Sequence, residues 1–257
     1  MSGLVVLCHI ARREVWEPVV DWLAGAHRVT FVDVPGFGST PLPPGLPPSV
    51  ESMARGVVHE LGVRGLENSH VVGVSVAGSV ALEVARLGGA GTVTALSPAG
   101  FWSTREAVQI SLEIGSLWAS VRLARPLVVA AGKVPIARAM VWDRITAHPD
   151  HIPLEVADRL ILGLPANMHH LTDDPRVALR WLRAVASYRV RPLDGSIPVT
   201  VAWGDRDTFL PYKSHAARAR EVLPHARHVT LRGCGHLPTY DDPEQVARVI
   251  LEATARG

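Results

Sequence analysis

The stretch His70-Val-Val-Gly-Val-Ser-Val-Ala-Gly78 joins a strand-like run to a helix-like run, and Ser75 stands at the junction. The segment 70–74 is short, β-branched and followed by small residues, which predicts a strand buried on both faces of a sheet. From residue 76 the pattern predicts a helix to about residue 88. A serine between two such elements, flanked by glycines, predicts a sharp turn that holds its hydroxyl clear of the sheet.

Short β-branched runs alternate with helical patterns on both sides of this junction. Buried-strand candidates lie at 4–8, 28–33, 70–74, 91–96, 198–203 and 227–231. Helix candidates lie near 16–25, 50–64, 76–88, 212–223 and 243–254. This alternation predicts an α/β fold with a parallel, doubly wound sheet of about six strands.

The alternation is interrupted once, between the fourth and fifth strand candidates. The region 101–194 contains long amphipathic stretches that are punctuated by prolines, and it contains no clear strand. This pattern predicts three to five helices inserted between two strands. We therefore divide the chain into an α/β core, 1–100 and 195–257, and a helical insertion, 101–194.

The composition narrows the class of protein and its partners. Of the 257 residues, 47% are hydrophobic and 19% are charged, which is typical of a globular domain rather than a disordered chain. The net charge of +2 is spread without a basic run, so we expect neither nucleic acid nor a membrane as a partner. Two cysteines without CxxC spacing, and an N-terminus that resembles a strand rather than a signal peptide, favour a cytoplasmic location.

Candidate catalytic groups follow the last two strands. Two carboxylates, Asp205 and Asp207, come after the fifth strand candidate, and His236 comes after the sixth. Because the carboxyl ends of parallel strands meet at one edge of a sheet, a carboxylate and His236 can reach Ser75. The order serine, acid, histidine is the order expected when a serine nucleophile sits on a strand–helix turn of an α/β sheet.

With these residues in view, the chain resembles the α/β-hydrolase superfamily over nearly its whole length. Several motifs carry the resemblance, and they occur in the family's order. They are His9 at the end of the first strand, the loop Asp33-Val-Pro-Gly-Phe-Gly-Ser-Thr40, the nucleophile elbow Gly73-x-Ser75, the acid motif Gly204-x-x-Asp207-x-x-x-Pro211 and the histidine motif Gly235-His236. The acid motif selects Asp207 over Asp205, and we expect Asp205 to pair with Arg206 or another surface arginine.

The resemblance implies a cap-bearing, esterase-like serine hydrolase with the catalytic triad Ser75, Asp207 and His236. Such an enzyme cleaves an ester, thioester or lactone of a small, moderately apolar molecule through an acyl-enzyme on Ser75. The helical insertion stands where family members carry a cap over the active site. The resemblance also implies that neither a metal nor an organic cofactor is needed.

The oxyanion loop is where the chain departs most from the family. The resemblance implies that the backbone N–H of Val76 and one from the loop after His9, at Ala11, hold the oxyanion. Family members usually have His-Gly where this chain has His9-Ile10, and a β-branched isoleucine disfavours the positive φ that glycine tolerates. We expect His9 to order this loop without taking part in proton transfer.

Two smaller departures concern the elbow and the sheet. Ala77 stands where the stricter elbow pattern has glycine, and we expect a small backbone shift to absorb its methyl group. The two N-terminal strands usual in the family are not found before residue 4. This predicts that the strand at 28–33 lies at an exposed edge of an all-parallel sheet, an arrangement that permits a homodimer.

Two alternatives to ester hydrolysis stay open at this point. The altered loop after His9 favours a non-hydrolytic or C–C bond-acting enzyme that uses the triad for acid–base chemistry, as the family's lyases and cyclases do. A ligand receptor on the same scaffold is the other alternative, and an intact triad argues against it. Serine at the elbow argues against the family's dehalogenases and epoxide hydrolases, which use a carboxylate there.

The sequence gives only candidates for the substrate pocket and for metal ligands. Large apolar residues of the insertion and of the loops beside the triad are candidates for the pocket: Trp102, Trp118, Met140, Trp142, Met168, Leu210 and Leu237. The pairs His148-x-x-His151 and His169-His170 lack a third ligand at a spacing typical of zinc sites, so we expect no metal. The expected partner is a small-molecule substrate whose identity the sequence leaves open.

Overall fold

A computed structural model describes residues 3–10, 12–36, 40–124, 126–127, 130, 134, 142–157, 159–160 and 175–255. All six strand candidates form strands. They are β1 (Leu4–His9), β2 (Arg28–Asp33), β3 (His70–Val74), β4 (Thr92–Leu96), β5 (Val199–Gly204) and β6 (Arg227–Leu231). The strands make one parallel sheet in the order β2-β1-β3-β4-β5-β6, which confirms the predicted fold class.

Helices cover both faces of this sheet, as expected for a doubly wound fold. They are α1 (Glu17–Ala24), α2 (Val50–Val63), α3 (Val76–Arg86), α4 (Thr104–Leu123), α5 (Pro175–Ser187), α6 (Tyr212–Val222), α7 (Pro238–Asp241) and α8 (Pro243–Thr254). Short 3-10 turns occur at Arg13–Trp16 and Pro149–His151. In the described parts of the chain, no helix combines the length and the apolar character that a membrane crossing requires.

Alternate residues of β1 face two separate hydrophobic layers. Val5 and Leu7 pack with α1 and α8 on one face of the sheet, whereas Val6 and Cys8 pack with α2 and α3 on the other. All four side chains are fully buried. The strand is therefore apolar throughout. It does not alternate apolar and polar residues, as a strand does when one face of its sheet is exposed to solvent.

Side chains that accept backbone N–H groups define the starts of two helices. Asp242 accepts the N–H of Gln245 at 2.9 Å, and Pro243 occupies the first helical position of α8. Ser103 and Glu106 form a reciprocal capping box at the start of α4. Both arrangements satisfy N–H groups that have no partner inside the helix.

The helices α4 and α5 lie between β4 and β5 along the chain, and they pack against each other. Trp102, just before α4, joins the hydrophobic cluster that contains α2 and α3. Trp181 within α5 and Tyr188 just after it join the same cluster. The inserted region is thus packed onto the core at both of its ends, and its division from the core at residues 100 and 195 remains a prediction.

The strand β2 occupies an edge of the sheet, as the sequence predicts. The carbonyl oxygen of Phe31 in this strand accepts a hydrogen bond from Arg64 Nη1 at 3.2 Å. Part of the hydrogen-bonding capacity of this edge is therefore used within the chain, which reduces its capacity to pair with another strand.

Replacing Gly73 by alanine tests the tight junction between β3 and α3. A Cβ at Gly73 would lie 2.1 Å from the carbonyl oxygen of Ala77, so the turn cannot keep its present geometry. We expect Gly73→Ala to lower the free energy of unfolding by about 3 kcal/mol or more. Denaturant unfolding measures this change.

The matched control is Gly25→Ala, at an exposed helix end with φ −65° and no atom nearer than 3.9 Å to the new methyl group. We expect this control to change the free energy of unfolding by no more than about 0.5 kcal/mol. Equal stability of the two variants would contradict the importance of the close contact at Gly73.

Candidate active site

Ser75 occupies a strained backbone turn between β3 and α3. Its φ of 57° and ψ of −123° lie in a region that residues other than glycine rarely adopt. The turn is held on both sides, because Ser75 N donates to Leu96 O at 2.9 Å and Ser75 O accepts from Ala99 N at 3.2 Å. A non-glycine residue kept in this conformation by surrounding contacts is a mark of a functional turn.

Ala77, which stands where the stricter elbow pattern has glycine, fits without disturbing the turn. Its side chain is fully buried in the first turn of α3. The close contact in this turn is between the backbone of Ala77 and the Cα of Gly73. The position that must be glycine is therefore Gly73, two residues before Ser75, and not position 77. The methyl group of Ala77 points into the hydrophobic cluster.

Asp207 and His236 are in direct contact at the ends of β5 and β6. The distance from His236 Nδ1 to Asp207 Oδ2 is 2.9 Å, and the two side chains are 6% and 0% exposed. Asp207 Oδ1 accepts the N–H of Leu210 at 2.8 Å, which fixes the carboxylate in its plane. Because a carboxylate only accepts hydrogen bonds, Nδ1 carries the proton and Nε2 has a free lone pair.

Gly204 allows the loop after β5 to meet the loop after β6. A Cβ at this position would lie 2.3 Å from the carbonyl oxygens of both Cys234 and Gly235. Asp205 also joins the two loops, because its Oδ1 accepts the N–H of Gly233 at 2.7 Å. Among the described residues no ion pair joins Asp205 to Arg206 or to another arginine, so the expected pairing is not found there.

Asp241 anchors the histidine loop, and the sequence analysis did not single it out. Its buried carboxylate accepts the N–H of Gly235 at 2.6 Å, the N–H of Ala147 at 3.1 Å and the N–H of His148 at 2.8 Å. The hydroxyl of Thr146 is a fourth donor to the same carboxylate. One side chain thus ties the residue before His236 to a segment of the inserted region.

The segment 144–148 contacts the loops of both Asp207 and His236. The guanidinium of Arg144 donates to the carbonyl oxygen of Thr208 at 2.7 Å, directly after Asp207. The N–H of Leu237, directly after His236, donates to the carbonyl oxygen of Ile145 at 2.7 Å. The inserted region therefore supports the geometry of the pair formed by Asp207 and His236.

Of the residues in the predicted oxyanion site, Val76 lies at the start of α3 and His9 at the end of β1. Val76 begins α3, so its N–H is among the first helical donors that have no acceptor within the helix. His9 Nε2 lies 3.1 Å from Asp33 Oδ1, which joins the last residue of β1 to the last residue of β2. Burial lowers the pKa of His9, and Asp33 opposes this shift. Ile10 packs against the hydrophobic cluster, and Ala11 lies outside the described residues.

The two cysteines beside the site are unsuited to be nucleophiles. Cys8 precedes His9, Cys234 precedes Gly235, and both are free and buried. Burial raises the pKa of each thiol to about 12. Because the thiolate is the reactive form, both thiols are inert at neutral pH.

Most of the described pocket candidates are part of the hydrophobic packing. Trp102 and Leu210 belong to the main cluster, and Trp142 packs with residues of a smaller cluster that includes Tyr240. Leu237 is half-buried between two clusters. Met140, Met168 and the side chain of Trp118 lie outside the described residues. Their roles in a pocket remain predictions.

Two further aromatic residues, Phe209 beside His236 and Trp181 in α5, were not predicted from the sequence. The ring of Phe209 lies 4.8 Å from the ring of His236, measured between centroids. Trp181 of α5 lies against Gly36, in the loop after β2. The position of Phe209 within the acid motif could have indicated that it lies beside the site. No sequence pattern around Trp181 indicates its contact with Gly36.

One group of described side chains could hold a metal ion. His148, Asp150 and His151 each offer a ligand atom, and these atoms lie within 4.8 Å of one another. The sequence analysis considered the two histidines and found no third ligand. The structure adds Asp150, because the 3-10 turn brings its carboxylate beside both rings.

Comparisons of the sequence with known proteins find hydrolases. The alpha/beta hydrolase family model matches residues 5–249. The epoxide hydrolase EphH of Mycobacterium tuberculosis is 27% identical over 202 residues, which cover 77% of this chain and 91% of that protein. A pimeloyl-[acyl-carrier protein] methyl ester esterase of Aeromonas hydrophila is 25% identical over 258 residues, which cover 92% of this chain and 88% of the esterase.

Comparison of the structure gives the same fold. A hydrolase from Pseudomonas aeruginosa aligns with a TM-score of 0.73 at 20% identity, and the alignment covers 98% of this chain and 90% of that chain. At such low identity the likeness concerns the fold alone. The family match, however, spans nearly the whole sequence. The chain belongs to the alpha/beta hydrolase family.

Proposed function

We propose that the protein is a serine hydrolase that cleaves an ester, thioester or lactone of a small, apolar molecule. The observation that carries the proposal is the 2.9 Å contact between His236 Nδ1 and Asp207 Oδ2, at the sheet edge where Ser75 occupies its strained turn. A buried aspartate that fixes the tautomer of a histidine suits a histidine that must accept and return a proton.

In the first half of the reaction, Ser75 Oγ attacks the carbonyl carbon of the substrate. His236 Nε2 accepts the hydroxyl proton as the Oγ–C bond forms, and Asp207 stabilises the resulting imidazolium. The tetrahedral intermediate then collapses. The bond from carbon to the leaving group breaks, and His236 donates the proton to the departing oxygen or sulfur atom. The product is an acyl-enzyme on Ser75.

In the second half, water releases the acyl group. His236 Nε2 accepts a proton from the attacking water, and the new tetrahedral intermediate expels Ser75 Oγ, which recovers the proton from His236. Both intermediates carry a negative oxygen. The N–H of Val76 at the start of α3 is the donor that we assign to this oxygen, with a second donor from the loop after His9. Each donor lowers the barrier by about 3 kcal/mol.

Two considerations support acyl chemistry over the epoxide chemistry that the name of one relative indicates. One of the sequence relatives is a methyl ester esterase. The elbow of this chain carries Ser75 rather than a carboxylate. A serine ester is released by water with the help of His236, so the same base serves both half-reactions.

A second candidate function rests on Ile10. Its half-buried, β-branched side chain packs against the hydrophobic cluster at the position where family members usually have glycine. An oxyanion hole weakened on this side would suit an enzyme that uses Ser75 and His236 for acid–base chemistry on a C–C bond. In that case no acyl group becomes attached to Ser75.

Cellular location and partners remain predictions. The two free cysteines suit a reducing compartment, in line with the expected cytoplasmic location. The expected partner is a small-molecule substrate, and the edge strand β2 permits a homodimer.

Substitution of each triad residue tests the proposed reaction. We expect Ser75→Ala, His236→Ala and Asp207→Asn each to lower kcat for p-nitrophenyl esters by about 10⁴-fold or more, because each change breaks the proton transfer. Release of p-nitrophenol across a series of acyl chain lengths measures the effect. Asp205→Asn is the matched control, since asparagine keeps the oxygen that accepts the N–H of Gly233. If Asp207→Asn were as active as this control, Asp207 would not be the catalytic acid.

Substitution of Asp241 tests its role as a positioning residue. An asparagine at 241 keeps one acceptor oxygen but turns an NH₂ group toward the remaining backbone donors, so the loop of His236 loses its anchor. We expect Asp241→Asn to lower kcat by about 10- to 100-fold with a smaller change in KM, because the loss is one of catalytic geometry. Ester hydrolysis well below the Tm of the variant measures both constants.

The control for this experiment is Asp143→Asn, which makes the same charge change at an exposed position just before the segment 144–148. We expect this control to behave like the wild type. A fully folded Asp241→Asn variant with wild-type kcat would exclude the positioning role.

A further inference from the structure

A cluster of potential metal ligands lies on the 3-10 turn Pro149–His151, in a part of the chain that the proposed hydrolysis does not use. The ligand atoms of His148, Asp150 and His151 lie within 4.8 Å of one another. We propose that these three side chains bind one divalent transition-metal ion of the zinc type.

The hydrogen bonding of His151 prepares this ring for a metal. Its Nδ1 lies 3.2 Å from the carbonyl oxygen of Tyr240. Because a carbonyl oxygen only accepts, Nδ1 carries the proton and Nε2 has the lone pair. A backbone carbonyl that accepts the second N–H of a metal-ligating histidine is the usual outer-sphere arrangement, since it fixes both the tautomer and the ring orientation.

The backbone of His148 is fixed by a separate contact. Its N–H donates to Asp241 Oδ1 at 2.8 Å, and Asp241 is buried against the core. The rings of His148 and His151 are stacked, with centroids 4.9 Å apart and planes 20° from parallel. Both histidines are therefore attached to the same region around α7, and little backbone entropy remains to be lost when a metal binds.

Binding requires the ring of His148 to rotate out of its stack with His151, because the in-plane nitrogen lone pairs of nearly parallel rings do not converge on one ion. Two imidazole nitrogens on one tetrahedral zinc ion lie about 3.3 Å apart, given a Zn–N distance of roughly 2.0 Å. The side chain of Asp150 is exposed and that of His148 is half-buried, so these two can turn toward an ion at His151 Nε2 while His151 keeps its contact with Tyr240. A surface groove of about 540 Å³ adjoins His151 and leaves room for water as a further ligand.

The donor set indicates which ions fit. Two imidazoles and one carboxylate suit Zn²⁺ and its neighbours Co²⁺, Ni²⁺ and Cu²⁺. Mg²⁺ and Ca²⁺ prefer sites built from oxygen ligands, so they are expected to bind far more weakly here. The bound ion would hold the 3-10 turn in one arrangement, because it joins both ends of the turn. This proposal does not depend on the hydrolase activity.

Calorimetric titration of the tag-free, full-length protein with Zn²⁺ at about pH 7.5 tests the site, because imidazole must be neutral to bind. We expect one Zn²⁺ per chain for the wild type, and an affinity that is roughly tenfold or more lower for each of His148→Ala, His151→Ala and Asp150→Asn. In the same samples, Zn²⁺ should raise the Tm of the wild type and leave the Tm of His148→Ala nearly unchanged.

Two control variants separate this site from other histidines. His59→Ala removes an exposed histidine of α2, and a variant with both His169→Ala and His170→Ala removes the adjacent pair of the inserted region. We expect both controls to bind Zn²⁺ like the wild type. The proposal would be overturned by a wild type without saturable binding, by loss of binding in the His169 and His170 variant alone, or by wild-type affinity in Asp150→Asn. Each variant's circular dichroism spectrum establishes that it is folded.

Discussion

The loops that follow β5 and β6 touch backbone to backbone, and the candidate active site depends on this contact. Gly204 permits it, since a Cβ there would lie 2.3 Å from two carbonyl oxygens of the facing loop. The approach brings Asp207 within 2.9 Å of His236. Asp241 then holds the facing loop through the N–H of Gly235. The pair formed by Asp207 and His236 is therefore a consequence of how closely two strand ends meet, and side-chain identity alone would not produce it.

The fold could be predicted from the sequence because its signals are local. Strands buried on both faces are apolar throughout, as Val5 to Cys8 are in β1, and such runs remain visible without knowledge of their neighbours. The contact between Asp207 and His236 could be predicted for a related reason: parallel strands end at one edge of the sheet, so residues just after neighbouring strands converge. The edge position of β2, expected from the comparison with the family's usual strands, is also confirmed.

The supports of the site could not be predicted, because they join residues that are far apart in sequence. Asp241 accepts hydrogen bonds from residues 146–148, which precede it by more than 90 positions. No sequence pattern in either segment predicts this contact. Asp150, by contrast, lies between His148 and His151 in the sequence, and the 3-10 turn brings its carboxylate close to both rings. The expected pairing of Asp205 with an arginine is not found among the described residues, and its carboxylate accepts a backbone N–H on another loop.

The central claim is that Ser75 is an activated nucleophile, and a fluorophosphonate probe tests it most directly. Ser75 Oγ would attack phosphorus, fluoride would leave, and His236 would take the hydroxyl proton. Intact-mass spectrometry and peptide mapping should find one adduct on wild-type protein, located at Ser75, and none on folded Ser75→Ala or His236→Ala. An unlabelled, folded wild type, or an adduct at another residue, would contradict the account and favour acid–base chemistry without an acyl-enzyme.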